Sequence, residues 1–285
     1  MKSKNKLQLL LILAGVLVGI LLYFAPRQEG SAEDTMVSKV EETHDEHEGH
    51  DHSDLSEKEL ELSAQQTELI ESLEKRAEQV SDLETKLVLY DSLIEYSLKN
   101  KFAPLVAKYT EEKAKLVATE TNWMLAGDNY FKAFRLSKNQ SKPMALKALS
   151  SYEEVLALNP ENLDAQTAKG VVYVEASQAL GEMPMKGIGI LQEVLNKDPK
   201  NINALTNLGY FAIQSGQFEK AIERFETILL IDPENAEAYL YLTDIYLSQD
   251  DKKKGIETLE KYKSLVKDPL VKKQVDDYIK EIGNE

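Results

Sequence analysis

Residues 202–235 read INALTNLGYFAIQSGQFEKAIERFETILLIDPEN, and their pattern decides the fold. Leu205, Leu208, Gly209 and Ala212 recur at spacings of three and four, the period of one face of a helix. Ser215-Gly216-Gln217 interrupts that run, and Ala221, Phe225 and Ile228 begin a second one. Asp232-Pro233 closes it, because proline has no N–H to give to a continuing helix. Gly209 and Ala221 are small where two helices must cross closely, and Phe225 is large where the gap between them must be filled. The stretch predicts a helical hairpin.

Working outward, the same pattern recurs. Trp123-x2-Ala126-Gly127-x2-Tyr130 opens an earlier first helix, whose partner carries Ala148, Tyr152 and Val155 and stops at Asn159-Pro160. A second hairpin begins near Leu163, with Gly170 and Tyr173, then Gly187, Leu191 and Val194, and ends at Asp198-Pro199. A fourth starts at Ala236 with Tyr239, Leu242 and Tyr246, then Gly255, Leu259 and Tyr262; Thr243 stands where the glycine is expected and Pro269 comes late. The hairpins over 136–143 and 180–185 are longer than the others. With Leu208, Gly209, Ala221, Phe225 and Pro233 in register, residues 202–235 resemble a tetratricopeptide repeat, whose period is about 34 residues. Leu205 takes the place of that pattern's tryptophan and Ala212 of its tyrosine. The resemblance implies an all-α fold, a superhelix of about four stacked hairpins over 120–270. Val275, Tyr278, Ile279 and Ile282 fall on one side of a capping helix over 271–285, which covers the last apolar face.

Upstream, residues 55–119 are a helical lead-in. Leu62, Leu69, Leu73, Val80, Leu83, Leu87, Tyr90 and Ile94 interleave as the apolar positions of a heptad, broken by Gln66 and Arg76. The spacing predicts one long amphipathic helix over 56–98. Two arrangements fit it: a coiled coil between copies, or a fold-back through Asn100-Lys101 onto a helix begun by Pro104, with Phe102, Val106, Tyr109 and Leu116 as its apolar face. In a mixed version, 56–78 is a free stalk and the remainder a degenerate first repeat.

The first residues divide three ways. Lys2, Lys4 and Lys6 lie in a basic tail over 1–6, followed by LQLLLILAGVLVGILLYFAP over 7–26 without a charge. Twenty helical residues span about 30 Å, the thickness of a bilayer core, so a transmembrane signal-anchor is expected. The flanking lysines place its N-terminus in the cytoplasm and the repeats outside it. A cleaved signal peptide is the rival, with a normally shorter apolar core. Gly15 and Gly19 are spaced for close approach of two such helices. Residues 27–54 are an acidic linker with too little apolar surface to fold. All four histidines, His44, His47, His50 and His52, sit there among carboxylates. They suit weak zinc, copper or nickel capture, against which stands the entropy of ordering a flexible run.

The 285 residues carry a formal net charge of −15, which argues against a nucleic-acid partner. There is no cysteine, and no histidine follows Leu55, so Cys-His and Ser-His-Asp chemistry cannot be built on the helices. No phosphate-binding glycine loop is present, no cofactor is implied, and the chain is not expected to be an enzyme. The resemblance implies a protein-binding scaffold whose concave wall comes from the first helix of each repeat. In that register the wall is Thr121, Met124, Asp128 and Phe131; Asp164, Thr167, Val171 and Val174; Asn203, Thr206, Tyr210 and Ile213; then Glu237, Leu240, Asp244 and Leu247. Repeats that clamp a carboxylate use Lys, Arg and Asn there; these slots are apolar or acidic, which suits an amphipathic helix or a peptide with some basic residues. Tyr210, Val171, Ile213 and Leu240 can instead pack between helices, an even choice for Val171 and Ile213, while the hydroxyl of Tyr210 favours the groove. Met183-Pro184-Met185 offers a second, adaptable apolar contact. Alternatives are a metal-handling protein working through the histidines, a self-associating homo-oligomer, and an assembly factor laid out like the repeat portion of cytochrome c maturation proteins.

Overall fold

A computed structural model describes residues 62–137 and 141–284. The expected tail, anchor and histidine-bearing linker lie outside the described residues. Within them every regular element is a helix: α1 (Ala64–Gln79), α2 (Leu83–Lys99), α3 (Ala103–Leu116), α4 (Glu120–Leu136), α5 (Lys142–Leu158), α6 (Leu163–Glu175), α7 (Ser177–Leu180), α8 (Pro184–Lys197), α9 (Ile202–Gln214), α10 (Phe218–Ile231), α11 (Ala236–Ser248), α12 (Lys252–Leu265) and α13 (Pro269–Asn284). None of these helices is long and apolar enough to cross a membrane. The described residues form two compact units divided between Phe211 and Ala212, inside α9.

The loops explain why the helices stop where they do. Three first helices, α2, α9 and α11, end in a left-handed residue: Lys101, Gly216 and Asp250 have φ of 61°, 70° and 61°. After each, two N–H groups turn back onto the helix, as when Gln217 N donates to Ala212 O at 2.8 Å and Gly216 N to Ile213 O at 2.9 Å. This is the Schellman arrangement, which satisfies carbonyls that would otherwise be orphaned. Second helices end differently. Asn159, Asp198 and Asp232 are extended, a proline follows each, and an asparagine two residues later caps the next helix. Asn162, Asn201 and Asn235 accept from the backbone N–H three residues on, at 2.8, 2.9 and 2.9 Å. These capping asparagines were absent from the sequence reading, although they stand at a fixed distance after each proline.

The long helix expected over 56–98 is two helices. α1 ends at the extended Val80, and Asp82 starts α2 by accepting from Thr85 N at 2.8 Å. The heptad does not describe the buried stripe: Leu69 and Leu83 are exposed, while Ile70, Ala77, Leu89 and Leu93 are buried. Nor is the first segment a free stalk. Ile70 joins Leu93, Leu105 and Tyr109 in one apolar cluster, and Glu74 of α1 accepts from the Tyr109 hydroxyl at 2.7 Å and from Lys108 Nζ at 2.8 Å. Helix-forming composition could not reveal the break, which is made by a local cap rather than by proline or glycine.

In the 62–211 unit the core runs through α3, α4, α5, α6 and α8, with Tyr130, Tyr152, Phe134, Ala148, Val172 and Leu191 at its centre. The helices approach most closely at the glycines: a Cβ on Gly187 would lie 2.2 Å from Gly170 O, so two backbones meet there with no room for a side chain. In the 212–284 unit Phe225 stacks on Tyr241 with ring centroids 4.6 Å apart. Val275 and Ile282 of α13 close over Leu259 of α12, the capping role expected of the last helix. Pro269 is the first residue of α13 rather than the end of a repeat.

Candidate protein-binding surface

α4 carries an open depression on the wall. Thr119 accepts from Asn122 N and starts the helix. Its next residues, at helical spacing, present Thr121, Met124, Leu125 and Asp128 along one side. With Glu120 and the capping Asn162 they line an open depression of about 570 Å3. Three of the four wall residues expected from this repeat therefore share one depression. Leu125, which the register did not select, is 51% exposed in it.

The chemistry of the depression is acidic and apolar. Glu120 accepts from Asn162 Nδ2 at 2.7 Å and Asn159 Nδ2 at 3.0 Å, which hold its carboxyl below the usual range. Asp128 accepts from the Tyr152 hydroxyl at 2.8 Å. Burial of its carboxyl against α5 raises its pKa, opposed by that hydrogen bond and by Arg135. The fourth expected residue, Phe131, is buried. It stacks on Phe134 at 5.9 Å, and the Arg135 guanidinium covers its ring at 4.2 Å. Glu175 of α6 holds Arg135 through two bonds of 2.8 and 2.6 Å.

The remaining expected positions separate by burial. Thr167 and Val171 are buried, Val171 inside the main cluster; Asp164 is exposed and Val174 half-buried. Asn203 is exposed and accepts from Asn207 Nδ2 at 2.9 Å. Thr206 and Tyr210 are half-buried, with the Tyr210 ring 5.7 Å from Phe211, and Ile213 is buried. In the second unit Glu237 is exposed, Leu240 and Asp244 are half-buried, and Leu247 packs on the α12–α13 cluster. Burial raises the pKa of Asp244, and among the described residues its carboxyl has no hydrogen-bond or ion-pair partner. Tyr241, buried and close to Glu237, is pushed up to about 12.

One polar cluster went unread in the sequence. Glu111 of α3 is buried yet accepts from the Tyr130 hydroxyl of α4 and from Lys147 of α5 at 3.0 Å, with Lys115 at 3.1 Å. Burial pushes its pKa up, and these donors together outweigh burial and hold it below the usual range. Glu111 ties three helices together and does not line the α4 depression. Met183 and Met185 are exposed at the start of α8, with Pro184 in its first turn rather than in a loop. No group of metal-binding side chains occurs among the described residues, and the four histidines lie outside them.

The hairpin geometry, with glycine at most crossings and a proline after α5, α8 and α10, defines a helical-repeat protein. Residues 186–233 and 212–273 match the family model described as Tetratricopeptide repeat, so the chain carries repeats of this type there. Solved structures resemble it at low identity. MamA from Desulfovibrio magneticus RS-1 is 21% identical, covering 63% of this chain and 94% of its own, with a TM-score of 0.44. YrrB, titled a TPR protein with an unusual peptide-binding site, is 19% identical, covering 73% and 99%, with a TM-score of 0.41. PilW, titled a type IV pilus biogenesis factor, is 17% identical, covering 64% and 78%, with a TM-score of 0.47. A search of curated proteins finds no match.

Proposed function

We propose that the chain is a non-enzymatic scaffold, anchored in a membrane by residues 7–26, whose repeats hold an amphipathic, partly basic segment of a protein partner outside the cytoplasm. The observation that carries the reading is the α4 depression, where exposed Leu125 and half-buried Met124 lie beside the carboxylates of Glu120 and Asp128. An apolar anchor with a flanking Lys or Arg answers both features, since it places opposite charge beside the carboxylates while covering Leu125. Assembly or organisation of an envelope complex is the role that fits this layout. The test is affinity capture from crosslinked membranes with the full chain and a Thr121→Lys/Leu125→Lys variant. Both positions are exposed, so helicity and melting should not change. A protein retained by the wild type and lost with the variant is the expected result; identical capture by both rejects the depression as the working surface.

The grouping of all four histidines in nine residues favours one second reading, metal handling by His44, His47, His50 and His52. Zinc titration of a peptide over 40–56 tests it. Binding no tighter than to its His→Ala counterpart removes it.

A further inference from the structure

A second cavity lies on the other flank of α4 from the depression and nearer its end. It holds about 370 Å3 and is lined by Ser97, Leu98, Lys101, Ala103, Val106, Asn129, Lys132 and Leu136. Its volume falls in the range of about 300–1,000 Å3 that suits small molecules, and its wall is mostly apolar. Leu98 and Leu136 are 54% and 64% exposed, high for leucines flanking a concavity. The Ser97 hydroxyl is committed to Leu93 O at 2.7 Å. The other polar groups are not: among the described residues, the Lys101 and Lys132 ammoniums and the Asn129 amide form no side-chain hydrogen bond or ion pair. That is notable in a chain of formal charge −15, in which Lys108, Lys113, Lys115 and Lys147 of the neighbouring helices all find carboxylates.

We propose that this pocket binds a single-chain anionic amphiphile, its aliphatic tail on Leu98, Val106 and Leu136 and its carboxylate met by Lys101, Lys132 and the Asn129 amide. The free polar groups decide the class. Two ammoniums can only donate, and one amide adds two further N–H groups beside a single carbonyl acceptor, so donors predominate. A peptide backbone would bring donors as well as acceptors and leave its N–H groups facing apolar wall. A carboxylate brings acceptors alone, and a methylene chain asks nothing else of the pocket.

The probe is decanoate carrying a terminal diazirine, with the matching decanol as its neutral control, photolysed with the full chain held in an amphipathic polymer. Adducts are expected within residues 97–106 and 129–136, at least tenfold more from the acid than from the alcohol. Lys132→Glu and Lys101→Gly should each cut labelling at least tenfold. Lys101→Gly separates charge from folding, because glycine relaxes the left-handed backbone at φ 61° and should leave melting unchanged or higher. Equal labelling by acid and alcohol, adducts elsewhere in the chain, or full labelling of both variants would each overturn the proposal. So would displacement of the probe by an acidic leucine-bearing peptide at lower concentration than by unlabelled dodecanoate, which would assign the pocket to a protein ligand.

Discussion

The hairpins α4–α5 and α11–α12 solve the same steric problem with different chemistry. In the first, Gly127 lets the Tyr152 ring approach so closely that a Cβ would sit 2.5 Å from it, and the Tyr152 hydroxyl then reaches Asp128, the next residue. In the second, Thr243 replaces the glycine. Its buried hydroxyl bonds Tyr239 O at 2.8 Å and pairs with Thr258 at 2.7 Å, so the helices meet through a hydroxyl pair instead of a ring. The consequence falls on one slot. Asp128 and Asp244 each follow the crossing residue, and burial raises the pKa of both. The ring in the first hairpin supplies a donor to Asp128; the hydroxyl pair has none left for Asp244. A repeat pattern thus fixes where bulk goes, and the filling chosen decides which acids are left hungry for a cation.

The sharpest way to break this contrast is to remove a carboxylate that is fully partnered. Glu111→Ala strands the Tyr130 hydroxyl and leaves Lys147 and Lys115 without their buried acceptor. A loss of about 2–3 kcal/mol is expected, mainly for stranding the buried Tyr130 hydroxyl, since Lys147 and Lys115 can turn to solvent. Urea unfolding measures it, and a loss below about 1 kcal/mol would show that the network adds nothing beyond a surface pair. Gly187→Ala comes next. Its methyl would press on the Gly170 carbonyl, and about 1–3 kcal/mol of overpacking is expected in the same assay.

Much of this was readable beforehand, and the limits are instructive. Glycine, proline and the apolar spacing marked the hairpins because they are steric signals, carried by residue size and backbone geometry. The break at Val80–Asp82 was invisible because an aspartate cap looks like any acidic residue in a helix-rich stretch. The wall register set Thr121, Met124 and Asp128 side by side, and they line one depression, but it could not tell that Arg135 would cover Phe131, since Glu175 lies 40 residues further on. Lys101 and Lys132 drew no notice because a lysine without a partner among the described residues differs from a paired one only in three dimensions.

The comparison is sharpened by treating the two equivalent aspartates alike. Asp128→Asn still offers an acceptor to Tyr152, so a change below about 1 kcal/mol is expected. Asp244→Asn should raise the melting temperature at pH 7. The sign follows from linkage: a carboxyl whose folded pKa lies above its unfolded value of about 4 favours the fold while protonated, and that advantage is lost as pH rises through the folded pKa. At neutral pH the charged Asp244 therefore works against the fold. The gain of the asparagine variant should vanish below about pH 4, where both carboxyls are protonated. A gain that persists at low pH would mean that shape, not charge, is responsible.

The smallest effect tests the idea that uncommitted polar groups in this chain mark places where something is missing. Thr167 is 1% exposed, and its hydroxyl is the only buried side-chain oxygen or nitrogen among the described residues without a hydrogen-bond partner. It lines neither the α4 depression nor the second cavity, unlike Lys101, Lys132 and Asn129, which open onto the latter. Thr167→Val keeps the shape and removes the orphan, and should stabilise by about 1 kcal/mol, the low end of the cost of an unsatisfied buried group. It should leave partner capture and amphiphile labelling untouched. If instead it weakens capture, then the hydroxyl is being held for a ligand that enters when α6 moves, and the wall extends deeper than the depression on α4.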